Sequence, residues 1–138
     1  MKLFFKVVSV LALLFNGTGA LYGGISLITN PSGSGIGLDI SLLEHTPFSN
    51  FLIPGIILVC VNGILSFATL ILILYGYRRA HFFLLLQGVL LTGWIIIQLL
   101  LIRTFYPPMH ITMLATGLII TGCGIYLYKN PVILNKSY

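Results

Sequence analysis

Four long apolar runs, at residues 3–29, 51–77, 81–102 and 111–128, decide what this chain can become. Each is close to or above the ~20 residues a helix needs to cross about 30 Å of hydrocarbon. A chain of 138 residues that is 58% hydrophobic and 7% charged cannot hide that much apolar surface from water. Inside lipid, every backbone N–H and C=O has to be satisfied within its own segment, which selects helices over open strands. The expected fold is all-α: a single-domain four-helix transmembrane bundle, with helices at about residues 3–29, 47–77, 81–103 and 109–128 and one long outer loop at 30–46.

The formal charge of +5 does not point to nucleic acid, because the basic residues stand singly or in pairs at the ends of the apolar runs. Their placement orients the chain instead, since Lys and Arg favour cytoplasmic loops. With the N-terminus inside, Lys2, Lys6, Arg78, Arg79, Lys129 and Lys136 are cytoplasmic, and only Arg103 is outside. Tyr75 and Tyr77 before Arg78, and Tyr126 and Tyr128 before Lys129, read as interfacial tyrosine pairs at the inner ends. The expected location is the cell's inner (plasma) membrane, with both termini cytoplasmic. The start, MKLFFKVVSVLALLFNGTGA, has the basic end, apolar middle and small residues of a secretory signal. Apolar character continues through LYGGISLIT to full spanning length, so a retained first helix is expected.

The outer loop begins with turn residues 30–37, where Pro31 fixes a backbone angle and three glycines permit positive φ. Asp39 is a good N-cap for a short interfacial helix over 39–45, whose Leu38, Ile40, Leu42 and Leu43 form a side suited to the membrane surface. Thr46 and Pro47 then read as the N-cap and first-turn proline of the second helix, and Pro54 as a place where that helix kinks. Cys60 and Cys123 lie in apolar runs without a CxxC pair, and both read as inert buried thiols.

The spans contain no Asp or Glu, which argues against a pump, an ion-coupled carrier or a voltage sensor. Their polar content is neutral and sits on one face of each helix. Gln87, Leu91, Trp94 and Gln98 follow helical spacing in the third run, as do Gly55, Asn62, Ser66 and Thr69 in the second. Ala12, Asn16, Ala20 and Gly23 or Gly24, with Gly19 and Gly23 as a small-xxx-small pair, mark the first; Thr116, Gly117, Thr121, Gly122 and Gly124 mark the fourth. Such faces serve helix packing in lipid. Alternatively Asn62, Gln87, Trp94 and Gln98 line a core site for a neutral lipid-like or quinone-like ligand. At the outer surface Asp39, Glu44, His45, Arg103 and His110 form a second candidate cluster, but without any HxxxH or HExxH spacing. No catalytic residue, metal site or cofactor is implied. The sequons at Asn16 and Asn135 fall in a span and in a cytoplasmic tail, and carry no expectation of glycosylation.

The stretch NPSGSGIGLDISLLEHTPFSNFLIPG, continuing to Asn62 and Gly63, resembles a segment of small uncharacterised bacterial membrane proteins that place Pro-Ser-Gly, Gly-Leu, Leu-Leu, Thr-Pro-Phe and Pro-Gly between their first two helices. Trp94 and Gln98 extend the likeness into the third run, and the whole arrangement is similar to the four-helix DoxX-like group. The resemblance implies an intact bacterial four-helix protein and no particular activity. The expected function is that of a non-enzymatic membrane component whose partners are the bilayer and either itself or another membrane protein. Binding, or chemistry, on a neutral lipophilic ligand in the bundle core is the alternative.

Overall fold

The computed structural model describes residues 1–130, so Asn135 and Lys136 lie outside the described residues. Four long helices run antiparallel: α1 (Lys2–Thr29), α2 (Leu52–Leu74), α3 (Ala80–Ile102) and α4 (Pro107–Lys129). All four are long and apolar enough to cross a membrane, which makes this all-α bundle a multi-pass membrane protein.

Around the bundle α1 lies between α2 and α4, and α3 between the same two. The contacts are uneven. The pairs α1 with α2 and α3 with α4 are the close ones, and glycine is the reason. A Cβ on Gly24 of α1 would lie 2.9 Å from Gly55 O of α2, and one on Gly55 would lie 3.0 Å from Gly24 O. In the second pair, a Cβ on Gly124 would sit 2.7 Å from Leu85 Cα, and one on Gly88 would sit 2.8 Å from Thr121 Cα. Lipid supplies little hydrophobic drive between helices, so backbone contact of this kind supplies the packing energy. The bundle is thus two glycine-packed hairpins laid side by side, a division the sequence shows only in its two Tyr-x-Tyr endings.

The glycines that do this are partly different from those expected. Gly19 and Gly122 would meet nothing within 4 Å, and Gly23 meets only the end of Leu58. The α1 face is built instead on Ser9, Leu13, Asn16, Gly17, Ala20, Gly24 and Leu27, all buried at helical spacing. Leu13, Leu70, Leu84, Leu91, Ile120 and Leu127 fill the apolar core between the hairpins.

Helix α2 starts later than Thr46 and Pro47 indicated. Thr46 Oγ1 donates to Leu43 O at 2.9 Å and accepts from Phe48 N at 3.2 Å, so its hydroxyl closes the preceding turn. The helix begins at Leu52, whose N–H is taken by Asn50 Oδ1 at 3.0 Å. Pro54 therefore stands in the first turn, where an amide has no intrahelical partner and its loss costs little. The irregularity comes next: Leu58–Ile64 is a π-helical stretch, with Leu65 N donating to Cys60 O. It carries Asn62 and Gly63 on its buried side, while Cys60 is exposed to the lipid side, unlike the buried Cys123.

The connections explain the tight antiparallel turns. At the end of α2, Tyr77 N donates to Leu72 O (2.9 Å) and Gly76 N to Ile73 O (3.2 Å), a Schellman arrangement with Gly76 at φ 68°. Of the four tyrosines in the two Tyr-x-Tyr endings, Tyr75, Tyr77 and Tyr128 are exposed, whereas Tyr126 stacks on Phe5 at 4.0 Å and joins α4 to α1. In the outer loop Asp39 caps a short 3-10 helix, Ile40–Leu43, by accepting Ser41 N–H at 2.8 Å. Leu43 turns inward onto Leu27 and Phe51, which closes that end of the first hairpin.

Candidate functional site

The polar residues of the spans meet in one layer near the middle of the bundle. From α1, Asn16 Nδ2 donates to Ser66 Oγ of α2 at 2.8 Å and to Asn62 O at 3.3 Å. From α3, Gln87 Nε2 donates to Asn62 Oδ1 at 3.2 Å. Asn62 is thereby the junction: its carbonyl binds its own hairpin and its side chain binds the other. None of Asn16, Asn62, Ser66, Thr69 and Gln87 is more than 1% exposed, so the layer is shut off from lipid and water alike.

Of the four residues expected to line a ligand site, the structure brings together only Asn62 and Gln87. Trp94 and Gln98 are half-buried, further along α3 toward its C-terminal end. There the inward position passes to Leu91 and Ile95, both nearly inaccessible. Trp94 packs its ring on the core cluster and leaves its buried Nε1 without a partner. Asn16, Ser66 and Thr69, seen in the sequence only as members of small-residue faces, belong to the layer. Their signal was there in the shared helical spacing, but which faces oppose one another depends on the hairpin geometry.

Hydrogen bonding in the layer is incomplete. Asn62 Nδ2, Gln87 Oε1 and Thr69 Oγ1 are buried and have no partner among the described residues. One amide-to-amide bond inevitably leaves a donor on one side chain and an acceptor on the other, and exchanging O and N in both amides leaves the same count.

The outer candidates are not gathered into a site. Asp39 is committed to Ser41, and this backbone hydrogen bond holds its carboxyl below the ordinary aspartate value. Glu44, His45 and Arg103 are exposed, and among the described residues no ion pair joins them and no group of three His, Cys, Asp or Glu side chains is placed to hold a metal. Arg103 ends α3 in the left-handed region at φ 54°. His110 has a structural task that its position in the sequence does not advertise. Its Nδ1 lies 2.9 Å from Tyr106 N and takes that N–H, while His110 N donates to Tyr106 O at 3.0 Å. This reciprocal pair at the start of α4 works like a capping box with imidazole in place of carboxylate.

The geometry defines a class: a four-helix membrane bundle with a closed, neutral polar layer at its centre. Comparison with protein-family models, curated proteins and solved structures found no match to this chain.

Proposed function

We propose that the chain is a non-enzymatic membrane component, a compact four-helix unit that packs with itself or with a membrane partner, and that its central polar layer serves to fix how the two hairpins register. The observation that carries this reading is the direct Gln87–Asn62 contact between two fully buried amides on different hairpins. A ligand site has its polar groups facing an opening, whereas these face each other. The unit resides in a plasma membrane with both termini cytoplasmic. Five of the six cations among the described residues lie at the end where α1 begins and α4 ends, and Arg103 alone lies at the other. The likeness of the outer loop to small bacterial membrane proteins fits this placement.

A second reading has one observation in its favour. The unpartnered Trp94 Nε1, with the half-buried Gln98 one helical turn further on, offers a donor toward the outer half of the bundle that a neutral lipophilic ligand would satisfy. Native mass spectrometry from mild detergent separates the two. The first reading expects the bare mass, its integer multiples or a protein partner, with no stoichiometric neutral small molecule. A bound neutral molecule that disappears in both Trp94→Phe and Gln98→Leu, with the variants still folded, would replace it with the second.

A further inference from the structure

At the end of the bundle where α1 begins and α4 ends, a partly enclosed cleft of about 60 Å³ opens between the start of α1, the α2–α3 turn and the end of α4. Its floor is apolar, made by Ile73, Ala80 and Leu127, and its polar lining is basic: Lys6, Arg78 and His81. The space suits one phosphate group, or about two waters at ~30 Å³ each. Lys6 and His81 are half-buried, so part of their hydration is already lost. Among the described residues the side chains of these two and of Arg78 have no hydrogen-bond or ion-pair partner. Nor is a side-chain carboxylate at hand. The chain has two acidic side chains, Asp39 and Glu44, and both lie in the loop at the opposite end. Ala80 and His81 are moreover the first residues of the 23-residue α3, whose cap residue Arg79 gives it no side-chain bond, so the positive end of its dipole lies at the cleft.

The Lys6 and Arg78 cations, set beside His81 in a concave, partly dehydrated site, need an anion with several acceptor oxygens, and phosphate answers both the Arg fork and the Lys point charge. We propose that this cleft binds the phosphate of an anionic phospholipid headgroup. The lipid source follows from position. The cleft lies where the spans end, at headgroup depth, and the neighbours of its lining residues, Val7, Leu74 and Phe82, present exposed apolar side chains along which acyl chains lie. This assignment is independent of how the central polar layer is read.

The test uses the full chain in dodecyl maltoside micelles, with thermal unfolding followed as dioleoylphosphatidylglycerol is titrated in. A saturable rise in midpoint is expected, with dioleoylphosphatidylcholine giving none. Lys6→Gln and Arg78→Gln are each expected to weaken the apparent affinity about fivefold, as for one cation removed near an anionic surface. Lys129→Gln, which removes an exposed cation at the same end but outside the cleft, leaves the affinity unchanged. Equal stabilisation by phosphatidylcholine overturns the proposal, as does equal weakening by Lys129→Gln, which would mean a diffuse basic surface. Inorganic phosphate producing the same rise at the same concentration overturns the lipid source. Should the glutamine variants not fold, the comparison of the two lipids and phosphate on the unaltered chain still decides.

Discussion

Two kinds of glycine stand in these helices, and they differ in what a methyl group would meet. At Gly88 the added carbon runs into the backbone of Thr121, which cannot swing away, so Gly88→Ala is expected to destabilise the protein by about 1–3 kcal/mol. At Gly122 it meets nothing, and Gly122→Ala should stay within about 1 kcal/mol of the parent, on the stabilising side because Gly is the poorer helix former. Thermal or denaturant unfolding in detergent checks the pair; similar losses at both positions would remove the close-packed interface as the explanation. Asp39 gives a residue-scale prediction of another kind. Its folded pKa is depressed by the Ser41 N–H bond, so the contribution is full above the ordinary value of 3.8 and lost as pH falls through the folded value. Protection of the Ser41 amide against hydrogen exchange, corrected for the intrinsic rate, should hold at neutral pH, weaken in acid, lose its pH dependence in Asp39→Asn, whose amide oxygen still accepts, and be low at every pH in Asp39→Ala.

Helix existence was legible from hydropathy because lipid leaves few alternatives, and Asp39 marked the short loop helix through ordinary capping chemistry. Helix starts were less legible. Thr46-Pro47 has the composition of a helix opening, and Thr46 does accept the Phe48 N–H as a cap would, yet its hydroxyl also donates back to Leu43 O and the helix begins only at Leu52, which the local sequence does not reveal. The π-helical stretch at Leu58–Ile64 has no sequence signature at all. It follows from a tertiary demand, since it lies where Asn62 must serve α1 through its carbonyl and α3 through its side chain. His110 was similarly misplaced in a surface cluster, because the reach of its ring back to Tyr106 exists only once Pro107 and Pro108 have turned the chain into α4. His110→Ala is accordingly expected to cost about 0.5–2 kcal/mol, the range for a lost helix cap, and to leave metal affinity unaffected. Titration with zinc alongside the unfolding curve checks both; zinc binding that this variant abolishes would contradict the purely structural role given to His110.

For the whole molecule, the proposed orientation rests on the placement of charge, and the joining of the two hairpins on polar pairing. A cysteine replacing Arg79, in a chain lacking Cys60 and Cys123, should react with a membrane-impermeant maleimide only after cells are opened, and reaction in intact cells would reverse the topology. Of the candidate site, the sequence identified Asn62 and Gln87 as members of polar faces, but it grouped them with Trp94 and Gln98. The spacing of α3 alone cannot reveal that α2 meets that face at Gln87, and that Leu91 and Ile95 take the inward positions beyond it. Because the two hairpins contact each other less closely than the helices within each, the Asn62–Gln87 bond bears on how they are held together. The most direct measurement is therefore a double-mutant cycle with Asn62→Leu, Gln87→Leu and the pair, read as unfolding free energy in bicelles. Each single variant should lose about 1–2 kcal/mol and the pair less than their sum, with a coupling of about 0.6–1.7 kcal/mol. Additive losses would contradict the account by showing that the two amides work apart.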